Sequence, residues 1–131
     1  MTENPMTDWP KLQPWVVVGV SQDREKYGNK IYRDLKAAGY RVYGVNPRLE
    51  TIEGDKCYPD LKSLPEKPAV VNMVVPPSAA LSVVEDSHAA GIERMWFQPG
   101  SESDEAIEKA ESYGIHVIAN ACIMIEKIAL A

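Results

Sequence analysis

The first strongly apolar run of the chain ends on a turn residue and a hydroxyl, reading V-V-V-G-V-S over residues 16–21. Gly19 allows the backbone to turn tightly, and Ser21 offers a hydroxyl group. A helix beginning near Gly28–Lys30 would aim its free N–H groups and the positive end of its dipole at this turn. A glycine that serves only the packing of the first strand is the alternative. The pattern predicts a phosphate site that comprises Gly19, Val20, Ser21 and Lys30.

The end of the second apolar run, Asn46-Pro47-Arg48, bears on which nucleotide would bind. The dinucleotide fingerprint G-x-G-x-x-G does not follow Gly19, and no acidic residue stands where one would hold a ribose 2′-hydroxyl. The guanidinium of Arg48 pairs well with an additional ribose phosphate instead. The 3′-phosphate of coenzyme A and the 2′-phosphate of NADP both fit, so Arg48 argues against NAD and leaves these two ligands open.

The remaining chemically active residue types form no recognisable catalytic or metal site. His88 and His116 show no ligand spacing with each other or with Cys57 and Cys122, so we expect no metal. Cys122 is placed to exchange with a thiol ligand if it is exposed and activated, but burial as a small hydrophobe is the commoner state. The candidate site contains no Ser-His-Asp set, no paired carboxylates and no Walker lysine. These residues predict a binding module rather than an enzyme.

Five short apolar runs and the helical patterns between them predict the elements that position these residues. Near-continuous Val and Ile runs are typical of strands buried on both faces. The alternation predicts one α/β, Rossmann-like domain, a five-stranded parallel sheet with helices on both faces, with its ligand at the carboxyl ends of the strands. The predicted strands are Trp15–Val20, Arg41–Val45, Val70–Val75, Arg94–Phe97 and His116–Asn120; the predicted helices are Lys30–Ala38, Ser78–Ala90, one around Ala106–Tyr113 and a short one at Asp60–Leu64.

Length and charge place these elements in one domain. The 131 residues suffice for a single core, with residues 1–14, which hold three prolines, as an irregular N-terminal tail and residues 15–131 as the domain. The net charge of −5 argues against nucleic acid, but Ser21–Arg48 holds seven Lys or Arg against three acidic residues, which suits a small polyanion. No apolar run approaches the roughly 20 residues of a membrane helix, and no secretory signal is visible, so we expect a cytoplasmic protein without a membrane partner.

Five motifs in order give the chain a family resemblance: V-G-V-S, G-Y-x-V-Y-G-V-N-P, V-V-P-P, W-F-Q-P-G and I-A-N-A-C-I-M. From about Trp15 to Ile128 it resembles the small stand-alone coenzyme A-binding domain family, which is similar to the nucleotide-binding domain of the succinyl-CoA synthetase alpha subunit. The resemblance implies coenzyme A as the ligand. It places Gly19, Val20 and Ser21 along the phosphates, Asn46, Pro47 and Arg48 near the nucleotide, Val75 and Pro76 beside the pantetheine path, and Gln98 and Pro99 opposite.

Three functions remain open at this stage. The first is non-catalytic binding of coenzyme A or a coenzyme A thioester, and the second is an NADP-dependent oxidoreductase. The third is a protein-interaction module, natural or engineered, that uses the apolar C-terminal surface. Residues 119–131 carry only Glu126 and Lys127 as charges, which would suit a homodimer or another protein partner.

Overall fold

The computed structural model describes residues 9–119, and this part of the chain forms one sheet of seven strands with three α-helices. The strands are β1 (Trp15–Val18), β2 (Val42–Val45), β3 (Thr51–Ile52), β4 (Asp55–Tyr58), β5 (Val70–Met73), β6 (Arg94–Phe97) and β7 (His116–Ala119). Their order across the sheet is β3-β4-β2-β1-β5-β6-β7. The chain moves from β1 to one side and then returns to β5 on the other side, so the strand order reverses between β1 and β5.

Helices cover both faces of the sheet. They are α1 (Tyr27–Ala37), α2 (Pro77–Ala89) and α3 (Asp104–Ser112). The buried stripe of α1 packs with Val17, whereas the buried residues of α2 and α3 pack with Val16. Since successive side chains of a strand point to opposite faces, α1 lies on one side and the other two helices on the opposite side.

The sheet is larger than predicted, and it is mixed rather than parallel. Five strands were predicted, but β3 and β4 form an additional hairpin in which they run antiparallel, and β4 pairs parallel with β2. The turn residues Glu53 and Gly54 both have positive φ, as a two-residue hairpin turn requires. Strands this short and this polar give no apolar run, so the pattern that revealed the other five could not reveal them.

Two further segments differ from the sequence prediction. The predicted helix at Asp60–Leu64 is a single 3₁₀ turn, Leu61–Ser63, whose Ser63 N–H donates to the Asp60 carboxylate. Trp9–Lys11, which were assigned to the irregular tail, form a 3₁₀ turn in which Trp9 is buried edge-on against Trp96. Burial of an indole in the core explains why this turn packs on the domain.

The predicted C-terminal interface and Cys122 lie outside the described residues, as do residues 1–8. Within residues 9–119, no helix has the length and apolar character needed to cross a membrane.

Candidate functional site

A cleft of about 690 Å³ opens at the carboxyl ends of β1, β2 and β5, where the strand order reverses. This is the position at which open α/β sheets bind ligands, and the volume lies within the range of small-molecule sites. We call it the switch-point cleft. Its lining residues are Gly19, Val20, Ser21, Glu25, Lys26, Tyr27, Asn46, Arg48, Val74, Val75 and Pro76.

Glycine is required where the β1–α1 loop (residues 19–26) leaves the sheet. Gly19 has φ +102°, and a Cβ there would lie 2.2 Å from the carbonyl oxygen of Val74. Gly28 in the first turn of α1 is equally constrained, because its Cβ would lie 2.3 Å from the Gly19 carbonyl oxygen. The start of α1 therefore packs directly against the loop, and the loop packs directly against the residue after β5. The role of Gly19 was predicted from the sequence, but that of Gly28 was not.

The cleft faces backbone donors at the start of α1. The helix begins after Lys26, whose side chain forms no capping hydrogen bond. Within residues 9–119, the N–H groups of Val20, Ser21 and Tyr27, three residues of the cleft lining, have no hydrogen-bond acceptor. Free N–H groups together with the positive end of a helix dipole favour an anion.

Two cations line the same cleft. Neither the Lys26 ammonium nor the Arg48 guanidinium forms an ion pair within the described part of the chain, and Glu25 is the carboxylate that lines the cleft with them. Arg48 is placed by Asn46, whose Oδ1 accepts from the Arg48 N–H at 2.8 Å and whose Nδ2 donates to the Val20 carbonyl at 2.8 Å. Asn46 thus joins the loop after β2 to the loop after β1.

The side of the cleft that follows β5 is an apolar and rigid wall. Val74, Val75 and Pro76 follow β5, and α2 begins directly afterwards at Pro77. The Val75 N–H donates to the buried Ser101 hydroxyl at 3.0 Å, so the loop after β6 holds this wall from behind. A proline-fixed backbone with a tied N–H gives a surface that changes little when a ligand binds.

Four of the residues predicted for the site do not line the cleft: Lys30, Pro47, Gln98 and Pro99. Gln98 is 2% exposed and donates through Nε2 to Asn72 Oδ1 at 2.8 Å, so it lies behind the wall rather than opposite it. Pro47 and Pro99 are exposed outside the lining. Lys30 lies one helical turn beyond the first residues of α1, because the helix starts three residues earlier than predicted.

Sequence reasoning missed Glu25, Lys26 and Tyr27, which occupy the place assigned to Lys30. The available signal was the basic segment itself, in which Lys26 stands two residues before Gly28. No Ser, Thr, Asp or Asn at position 26 marks the start of the helix, so the usual capping pattern gave no boundary there.

The thiol of Cys57 should be unreactive in the folded protein. Its side chain is 4% exposed, and burial raises the pKa of the Cys57 thiol although its Sγ lies 3.8 Å from the Asn46 carbonyl oxygen. The thiolate is the reactive form, so we expect Cys57 in a Cys122→Ser variant to react with an aromatic disulfide reagent only after unfolding in guanidinium. Full labelling within minutes in native buffer would show that Cys57 is accessible after all.

Comparisons with known proteins identify the family of the chain. The family model described as CoA binding domain matches residues 13–128. Acetate–CoA ligase [ADP-forming] I of Archaeoglobus fulgidus is 29% identical over 125 residues, which cover 88% of this chain but 18% of the ligase. The chain thus spans about a fifth of the length of this relative.

Solved structures of small proteins match nearly end to end. A conserved hypothetical protein from Pyrococcus furiosus is 40% identical with a TM-score of 0.84, over 87% of this chain and 98% of that one. A hypothetical protein from Pyrococcus horikoshii is 34% identical with a TM-score of 0.88, over 96% of this chain and 87% of that one. The motif resemblance found in the sequence is confirmed by these matches.

Proposed function

We propose, since the chain belongs to the CoA-binding domain family, that its switch-point cleft binds coenzyme A or a coenzyme A thioester without catalysing a reaction. The observation that carries this proposal is that two cations without an ion-pair partner among residues 9–119, Lys26 and Arg48, share one cleft with free backbone N–H groups and a single carboxylate, Glu25. A ligand with several phosphates and a long uncharged arm matches a cleft that has cations at one part, Lys26 and Arg48, and an apolar wall at another.

Each part of the cleft suits one part of this ligand. The β1–α1 loop and Lys26 would hold the pyrophosphate, because they offer N–H donors and a positive charge. Arg48 would pair with the ribose 3′-phosphate, and the wall formed by Val74, Val75 and Pro76 would lie along the pantetheine arm. Because Gly19 has no side chain, the loop can pack against the Val74 carbonyl and keep the position from which its N–H groups would reach the phosphates.

The cleft favours binding rather than turnover because, within residues 9–119, no hydrogen bond joins the hydroxyls of its lining, Ser21 and Tyr27, to its carboxylate, Glu25. Ser21 supplies the one hydroxyl of the loop after β1, and its Oγ accepts from the Asp23 N–H at 3.0 Å. His88 lies in α2 and His116 in β7, and neither lines the cleft. Nucleophilic or general acid–base catalysis needs such groups within hydrogen-bond reach of each other.

Calorimetric titration tests the proposal. We expect coenzyme A to bind with one ligand per chain and NADPH to bind at least about tenfold more weakly, because the chain lacks the dinucleotide fingerprint. Native mass spectrometry of the purified protein should show a retained ligand of the mass of coenzyme A or a thioester. Tighter binding of NADPH than of coenzyme A would contradict the proposal and favour the oxidoreductase. Binding of neither would remove the ligand assignment.

A further inference from the structure

Three carbonyl oxygens of the β1–α1 loop accept hydrogen bonds from side chains of two other elements, α1 and the loop after β2. Asn46 Nδ2 donates to the Val20 carbonyl at 2.8 Å, and Asn29 Nδ2 donates to the Ser21 carbonyl at 2.8 Å. Arg33 Nη2 donates to the Arg24 carbonyl at 2.9 Å. A loop whose carbonyls are held by its own protein can present N–H groups to an anion, since carbonyl oxygens facing the anion would repel it. These side chains therefore fix the polarity of the loop.

Asn29 is the centre of this network. It is 0% exposed, and its amide is paired on both sides. Besides the Ser21 carbonyl, Nδ2 contacts the Glu53 carboxylate at 3.2 Å, and Oδ1 accepts from Arg33 Nε at 2.6 Å. A fully paired buried amide holds its partners in one arrangement, because any displacement leaves a polar atom unpaired.

Glu53 brings the β3–β4 hairpin into contact with the loop. Within residues 9–119 it is the one residue other than glycine with a positive φ, +48°, at a turn position where Asn, Asp or Gly is usual. Its carboxylate reaches Asn29 and also Arg24, at 3.5 Å. Gln22 Nε2 donates to the Thr51 carbonyl at 2.8 Å, which gives the hairpin a second contact with the same loop.

We propose that the β3–β4 hairpin is a clamp that holds the β1–α1 loop in its anion-binding form, with Glu53 as the positioning residue. This inference rests on the proposed function, since it assigns the affinity for the phosphate-bearing part of the ligand to a contact outside the cleft lining. A carboxylate near a phosphate site would by its charge alone weaken binding. If Glu53 acts as a clamp, shortening it weakens binding instead, so the sign of the effect separates the two roles.

Two variants that differ by one methylene group test the clamp. Glu53→Asn suits the left-handed backbone better but lacks the reach to Asn29 and Arg24, so we expect coenzyme A affinity to fall about tenfold with the melting temperature unchanged or higher. Glu53→Gln keeps the length and an acceptor for Asn29 Nδ2, so we expect affinity to stay near that of the parent. Glu50→Asn removes an exposed carboxylate of the same segment and should leave affinity unchanged.

A second readout needs no ligand. Amide hydrogen exchange of Asp23, Glu25 and Lys26, whose N–H groups donate within the loop, should become faster in Glu53→Asn and stay at the parental rate in Glu53→Gln. Equal affinities in both variants, or a rise in both, together with unchanged exchange would overturn the clamp. If the parent protein binds no coenzyme A, the proposed function fails, whereas the exchange experiment still decides whether the hairpin holds the loop.

Discussion

Replacing Gly19 with alanine is expected to abolish coenzyme A binding and to lower the melting temperature by several degrees. The added Cβ would lie 2.2 Å from the Val74 carbonyl oxygen, so either the β1–α1 loop or the end of β5 must move. Overpacking of this kind typically costs about 1–3 kcal/mol. The left-handed backbone, φ +102°, adds about 1–3 kcal/mol for a residue other than glycine. Because both the β1–α1 loop and Val74 line the cleft, movement of either segment changes the shape of the cleft.

Gly39→Ala is the matched control for this variant. Gly39 also has a positive φ, +89°, at the end of α1, but a Cβ there meets no atom within 4 Å. It carries the backbone cost without the clash, so Gly39→Ala should be moderately destabilised and should bind coenzyme A like the parent. Circular dichroism melts and calorimetric titrations measure both properties. If Gly19→Ala matched Gly39→Ala in stability and bound coenzyme A normally, the contact with β5 would be irrelevant to the site.

The parts of the fold that follow from local pattern could be predicted from the sequence. The run that forms β1 is apolar at every position, as a strand buried on both faces requires. Gly19 marks the end of the strand because a side chain there would clash with the Val74 carbonyl. The strands β1, β2, β5, β6 and β7 run parallel because long crossover connections join them. Helices form three of these connections, and the segment with the β3–β4 hairpin joins β2 to β5. The location of the candidate cleft follows in turn, because the reversal of strand order determines which carboxyl ends meet.

The parts that depend on tertiary partners could not be predicted. Gln98 was expected to face the ligand, but its side chain is buried and donates to Asn72, a residue of the neighbouring strand β5 that is distant in sequence. The β3–β4 hairpin is held by pairing of β4 with β2, by burial of Ile52 and by contacts with the β1–α1 loop, and its short polar strands carry no periodic signal. Trp9 lies in a proline-rich segment that local rules assign to a tail, whereas its burial depends on Trp96.

Arg48 is the residue whose loss should separate coenzyme A from its analogue without the 3′-phosphate. The guanidinium lines the cleft and has no ion-pair partner among residues 9–119, so no internal pair must break before it binds a phosphate. A charge-assisted hydrogen bond contributes about 1.5–3 kcal/mol, which corresponds to roughly ten- to a hundredfold in affinity. We therefore expect the parent to bind coenzyme A that much more tightly than dephospho-coenzyme A.

Arg48→Ala should remove this difference by weakening coenzyme A alone. Dephospho-coenzyme A should bind Arg48→Ala and the parent equally, since the group that Arg48 contacts is absent from it. Lys30→Ala removes a cation that α1 exposes outside the cleft lining, so it should change neither affinity. Six titrations, of the parent and the two variants with each of the two ligands, test the assignment. An equal loss for both ligands in Arg48→Ala would mean that Arg48 acts on the pyrophosphate or on the loop that Asn46 holds. If Lys30→Ala lost affinity for coenzyme A but not for dephospho-coenzyme A, the ribose phosphate would be assigned to Lys30, beyond the first turn of α1, instead of to Arg48.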